Sequence, residues 1–386
     1  MSGLSGSSDR STTAVDEAWR ARSTTARDRF ALVGTLYLLL VSAAGLVFVM
    51  LGQPGLPQRF NYDAQRIQLL AQPGAPRGVD SSFETVAHVY AALGLGQDPV
   101  LAGTVTYVLF LVALVVATAG RVVARTRDVA LVSALALLGA IYLGQYSKDV
   151  FPAFLILLVT VRRKGLLPEV LLVAAMTAYA LAFRSYWLIV VGLYVLARFW
   201  FRRGLPDWRR TAVFVVGTVV VLGISMPLVL GVPLDSFRLS VNEGRVGGAD
   251  AASLIAPYVA GDSLVAGMAN MLLTLASFVV PVPLLLLGTP YHAAIALVIA
   301  GFWVAVITAV SATRRAGTGT VVQVRALALL VAFTLVQSVF EPDFGSYLRH
   351  LLPVSLCAVV LLLRPVRAPV GAPVGAPVGH ARIEAP

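Results

Sequence analysis

Apolar runs of about 17 to 22 residues, the length that crosses a bilayer as helix, recur along this chain from Phe30 to Leu363, with the polar residues gathered between them. The runs begin near residues 30, 100, 129, 150, 166, 187, 211, 264, 292, 321 and 347. They predict an all-α polytopic membrane protein of about 10–11 transmembrane helices. One interval is long: in Gly52–Pro99, two groups at helical spacing, Ile67, Leu69 and Leu70, then Phe83, Val86, Ala87, Tyr90 and Leu93, predict two surface-lying amphipathic helices parted by Pro73, Gly74 and Pro76.

Composition narrows the class. With 58% hydrophobic and 13% charged residues among 386, and a mean hydropathy of +0.84, the chain is far too apolar for a soluble domain of this size. Residues 1–29 are polar and arginine-bearing, which predicts a disordered cytoplasmic tail rather than a signal peptide. Residues 30–363 form the expected transmembrane domain, with external loops at 52–99 and 232–262. Residues 364–386, a Pro/Gly/Ala/Val repeat, read as a flexible cytoplasmic tail. Cys357 is the sole cysteine, so neither an intrachain disulfide nor a cysteine-based zinc site is available.

Orientation comes from the basic residues. They cluster in the N-terminal tail, at Arg121–Arg127, Arg162–Lys164 and Arg198–Arg210, at Arg314, Arg315 and Arg325, and at the C-terminus. These loops should face the cytoplasm of a cell whose plasma (inner) membrane holds the protein, N-terminus inside. The net charge of +11 then reflects loops facing anionic lipid and carries no nucleic-acid signal. Strict alternation fails between Asp262 and Arg314, so one segment there is expected to be re-entrant. The candidate is 264–289, interrupted by Pro281 and Pro283 and followed by Pro290, unless it is an ordinary proline-kinked span.

In this orientation the polar stretches outside the basic loops fall on the external side. Besides Asp63 and Glu84 in the first loop, GQYSKDVFP contributes Tyr146, Lys148 and Asp149, and FRSYW contributes Arg184, Tyr186 and Trp187. The loop at 232–262 adds Arg238, and FEPDFGSYLRHLLP adds Glu341, Asp343, Tyr347, Arg349 and His350. Each has a plain reading: a local Lys148–Asp149 pair at a turn, or Tyr186 and Trp187 in an interfacial aromatic belt with a snorkelling arginine. The last stretch resists one. Pro342 and Gly345 end a helix and Ser346 is placed to cap the next, where Arg349 and His350 oppose the helix dipole unless an anion or nearby acids compensate.

No GxxxxGK[ST] loop, HExxH or GxSxG motif is present, and His88, His292, His350 and His380 are scattered. Cations at membrane depth suit a lipid-linked phosphate, carboxylates suit activation of a sugar hydroxyl, and aromatic faces suit sugar rings. The layout of FNYDAQ, SSFETVAHVY, the SKD turn, FRSYW and DFGSYLRHLLP resembles the Wzy-type and EpsG-like polysaccharide polymerases, which are similar to GT-C membrane glycosyltransferases.

That resemblance spans about residues 30–363 and implies polymerisation of undecaprenyl-pyrophosphate-linked repeat units at the external face. It implies no metal or cofactor, and a flippase and a chain-length regulator as partners beside the membrane lipids. Arg349, Arg184 and Lys148, with Arg238, would bind pyrophosphate, and Tyr146, Tyr186, Tyr347 and Glu341 would complete the binding surface. Asp63, Asp149, Asp343 or His350 would serve as base. The alternatives are a glycosyltransferase using a polyprenyl-phosphate sugar, a glycan ligase, and a secondary transporter or flippase.

Overall fold

The computed structural model describes residues 8–75, 78, 81–118, 125–244, 253–261 and 263–362, with side chains from Arg29 onward except at Arg59 and Leu230. The described chain is helical throughout, and its one β feature is an isolated bridge between Leu254 and Asp343. In order the helices are α1 (Ser8–Met50), α2 (Tyr62–Leu70), α3 (Ser81–Ala92), α4 (Pro99–Thr118), α5 (Thr126–Tyr142) and α6 (Leu155–Val159). There follow α7 (Leu166–Ala182), α8 (Trp187–Trp200), α9 (Trp208–Leu230), α10 (Ser236–Glu243) and α11 (Leu264–Val279). The last are α12 (Val282–Leu286), α13 (Pro290–Arg315), α14 (Val321–Phe340), α15 (Phe344–Val354) and α16 (Leu356–Leu362).

Five described helices are long and apolar enough to cross a membrane: Arg29–Met50, Pro99–Thr118, Trp208–Val229, Pro290–Arg315 and Val321–Phe340. The pair α15–α16 makes a sixth if its two limbs, bent by 57°, form one span. The break falls at Ser355, two residues after Pro353, where the Ser355 N–H and hydroxyl both turn to the Leu352 carbonyl. Leu36, Leu39, Val115, Leu228 and Leu297 are exposed on the outer helices. In water so much bare apolar surface would aggregate; against lipid it costs nothing. The protein is therefore a multi-pass membrane protein.

Against the 10–11 crossings expected, five or six helices of at least 18 residues are long and apolar enough among the described residues, with shorter apolar helices beside them. The apolar run from residue 150 folds into a 3-10 turn, Phe151–Phe154, and the five-residue α6, which at about 1.5 Å per helical residue falls far short of a bilayer. Helices α5, α7, α8 and α11 have 14 to 17 residues. Run length overstated them because polar turns claim the ends. Segment 264–289 does break, at Val280 and Pro281, between α11 and α12. Helix α1 starts at Ser8, so part of the expected tail continues the first span, whereas residues 364–386 lie outside the described residues.

Helix α14 is buried nearly all round and packs on α8, α11 and α16; α16 in turn meets α4 and α13. A helix apolar on every face belongs in such a centre. Gly103 on α4 lies so close to the Gly144 carbonyl that a Cβ there would collide with it. That close approach seats the turn at 143–150 on the bundle.

The α7–α8–α14 group is tied at one end by an ionic cluster around the half-buried Glu169. Glu169 accepts from Arg198 Nη2 at 2.6 Å, Arg325 Nε at 2.9 Å and the Tyr194 hydroxyl at 2.7 Å. Arg325, fully buried, also donates to the carbonyls of Val161 and Arg163 just beyond α6. One carboxylate thus joins three helices.

Candidate functional site

At the other end of the same helices, about 24 Å along α14 from Arg325 by the helical rise, residues remote in sequence meet. Arg184 sits in the turn between α7 and α8, Asp149 in the turn after α5, Asp63 on the first turn of α2, and Arg349 and His350 on α15. Glu341 caps the end of α14. Buried charges survive when paired and hydrogen-bonded, and this cluster is built that way.

The Arg184 guanidinium is its hub. Nη2 donates to Asp149 Oδ1 at 2.7 Å and to His350 Nε2 at 2.9 Å, while Nη1 donates to the Tyr186 hydroxyl at 3.2 Å. Arg349 Nη1 pairs with Asp63 Oδ2 at 3.1 Å. Its Nε lies 3.5 Å from Asp149 Oδ2, within ion-pair range but without a hydrogen bond. His350 Nδ1 meets Glu341 Oε2 at 2.7 Å, and that oxygen also accepts from Gln337 Nε2 at 2.9 Å. A guanidinium only donates, so Nε2 of His350 is the acceptor; the ring proton is assigned to Nδ1 and donated to Glu341.

Lys148 completes the set through a ring. Its ammonium stands 3.5 Å from the centre of Phe83 on α3, whose ring also carries Arg66 at 5.0 Å. Burial first, then the Arg184 guanidinium, pulls the Lys148 ammonium down to about 8, with Asp63 and Asp149 pulling the other way.

The helices of the first loop hold this corner together. Ile67, Phe83, Val86, Ala87 and Tyr90 pack with Tyr146 in a small core of their own. The Tyr90 hydroxyl both accepts from the Ser147 N–H and donates to the Ser147 carbonyl, each at 3.0 Å. Ser82 Oγ donates to the Phe183 carbonyl at 2.6 Å, and Gln145 Nε2 donates to the Phe60 carbonyl at 2.8 Å. These bonds place α2, and with it Asp63, over the two arginines.

Of the residues singled out in the sequence, Asp63, Lys148, Asp149, Arg184, Tyr186, Glu341, Arg349 and His350 come together. Four others have different employment. Asp343, expected as a base, is the N-cap of α15: Oδ1 accepts from the Ser346 N–H at 2.7 Å and Oδ2 from the Ser346 hydroxyl at 2.9 Å. Ser346, expected to cap, is the residue capped.

Tyr347 stacks on Phe278 at 3.8 Å and accepts from Trp303 Nε1 at 3.1 Å, inside the core rather than at a sugar site. Tyr146 donates to the Leu95 carbonyl at 2.7 Å. Arg238, expected on pyrophosphate, turns to Thr274 and the Ser338 carbonyl. Sequence reasoning passed over Gln337 and read Phe83 only as part of an amphipathic face, not as the ring that meets Lys148. Gln337 had a signal, a polar residue one helical turn before Glu341 in an apolar run.

Chemically, three cations and three carboxylates balance here, so each arginine is held by acids that an incoming anion could replace. Asp63 is the most accessible of those acids, its side chain 19% exposed against 5% for Asp149 and 2% for Glu341. Arg184 Nε, Gln145 Oε1 and Asn61 Oδ1 are buried without a hydrogen-bond partner. Such groups fit a site that takes up polar ligand atoms or water. No metal-holding group of three or more His, Cys, Asp or Glu occurs among the described residues. No family model, no characterised protein and no solved structure matches this chain.

Proposed function

We propose that this protein is a membrane glycosyltransferase that lengthens a cell-surface polysaccharide. It would transfer a glycan from one undecaprenyl-pyrophosphate carrier to the non-reducing end of another at the external face of the plasma membrane. The observation that carries the reading is the meeting of Arg184 and Arg349 with Asp63, Asp149, Glu341 and His350 at one end of the bundle. A leaving diphosphate gains negative charge as the glycosidic bond breaks, and two guanidiniums and an ammonium offer it compensation in a water-poor site. Asp63, on α2 and the most accessible acid, is the proposed base for the acceptor hydroxyl.

In this reading Arg349 exchanges Asp63 for a phosphate oxygen when the carrier binds. Asp149 keeps both arginines oriented. His350, its Nε2 occupied by Arg184 and its Nδ1 by Glu341, orients that guanidinium instead of taking a proton. The uncharged middle of the bundle favours a transferase over a transporter: from Ala326 to Phe333, between the charged groups at either end, α14 carries no polar side chain.

Deletion of the gene followed by analysis of lipid-linked glycans tests the proposal. Loss of a polymerase leaves single repeat units on the carrier in the outer leaflet. Accumulation in the inner leaflet would point to a flippase, and a shortened repeat unit to a transferase adding single sugars from a polyprenyl-phosphate donor. Either outcome overturns the polymerase reading.

A further inference from the structure

Arg238 is 1% exposed, and among the described residues it forms no ion pair. Its Nη1 donates to Thr274 Oγ1 at 2.8 Å and to the Ser338 carbonyl at 3.2 Å. A buried guanidinium with only the longer-range field of Asp235 to balance it, and no ion pair, is costly, so its placement calls for a reason. The reason lies in the end of α14. There the Gln337 carbonyl accepts from the Glu341 N–H at 2.9 Å, and the next carbonyl, that of Ser338, would take the N–H of residue 342. Residue 342 is proline and has none.

Proline also drives the residue before it out of the helical region, and Glu341 is extended at φ −76° and ψ 122°. The helix therefore stops with an orphan carbonyl beside the carboxylate that holds His350. A cation at a helix C-terminus is favoured by the dipole as well as by the hydrogen bond. Neighbouring segments brace the same elbow: the Ile255 N–H donates to the Pro342 carbonyl at 2.8 Å, and Asn242 Nδ2 donates to the Ile255 carbonyl at 3.1 Å.

We propose that Arg238 is a positioning residue: it supplies the donor that Pro342 lacks, fixes the last turn of α14, and so holds Glu341, braced by Gln337, on Nδ1 of His350. It never touches substrate. Its consequence for glycan transfer rests on the function proposed above, but its consequence for the His350 ring does not.

The test is nitrogen-15 NMR of the full chain in nanodiscs with ring-labelled histidine, the His350 signal identified by its loss in His350→Gln. The unmodified protein should show the Nδ1–H tautomer. In Arg238→Met that signal should give way to a tautomer mixture, while Arg238→Lys, which keeps a donor and a charge, should retain it. Long-chain glycan formation should fall at least tenfold in Arg238→Met, in kcat more than in KM, and recover in Arg238→Lys. An unchanged His350 signal in Arg238→Met overturns the proposal. So does an Arg238→Lys spectrum that departs from the unmodified one, a comparison that remains if Arg238→Met does not fold. A changed ring signal with undiminished chain length would leave Arg238 in place as a support of His350 and take the His350 ring out of glycan transfer instead.

Discussion

The two ends of the α7–α8–α14 group each tie arginines to carboxylate, yet they are built differently. Around Glu169, one acid serves Arg198, Arg325 and Tyr194, and Arg325 spends its remaining donors on the Val161 and Arg163 carbonyls. Around Arg184 the arginine Nε is left without a hydrogen bond, the acids come from separate elements, and one of them, Asp63, rides on a short helix of the first loop. A set of partners that closes on itself is a clasp. A set that leaves buried donors over and draws an acid from a surface helix can exchange partners, and exchange is what binding requires.

The largest expected effects follow from that contrast. Glu169→Leu strands two arginines, one fully buried, and should destabilise the protein by about 3–5 kcal/mol. Thermal unfolding in detergent checks this; a melting temperature within a degree of the unmodified protein would remove the distinction between clasp and site. Arg349→Ala should do the opposite, lowering long-chain glycan formation about 100-fold or more with membrane insertion and melting little changed. Arg349→Lys should stay impaired if two phosphate oxygens are gripped at once. Retained chain length in Arg349→Ala takes it out of the site.

Smaller effects sharpen the division of labour among the acids. Asp63→Asn should cut transfer about 100-fold with stability held within about 1 kcal/mol, since it releases a partly exposed pair. Asp149→Asn should reduce both, because it leaves Arg184 with a weaker partner. Equal profiles for the two variants would argue against Asp63 as base.

The subtlest test is of pH. Lys148 lies in the turn after α5 and is lowered to about 8 in the folded protein, against an ordinary value of 10.5. It is charged at pH 7, so as pH rises through about 8 the ammonium is lost and KM for an anionic carrier should climb. Lys148→Met should remove that inflection. Stability moves in the other sense: between about 8 and 10.5 the unfolded chain holds the extra proton, so this group's unfavourable contribution shrinks as pH rises.

Much of this was legible in the chain. Helical character, membrane residence and the two first-loop helices follow from apolar runs and from spacing that repeats every 3.6 residues, both local properties. The charged stretches that meet were also visible, since a charge costing about 2.5–3.5 kcal/mol at membrane depth stands out against 58% apolar residues. The lengths of the individual helices were not legible, because run length alone does not reveal that the polar turns at 143–150 and 183–186 shorten the helices beside them.

Sequence by itself determined which residues are charged, that Pro342 stops a helix, and that lipid is the solvent. Only the tertiary structure decided which charge meets which. Arg238 and Arg349 are the same side chain, and nothing local says that one serves a helix end beside a proline while the other meets Asp63, 286 positions away. Pairing of buried ions is settled by the desolvation each would suffer alone, a quantity fixed by the packed neighbours and not by residue order.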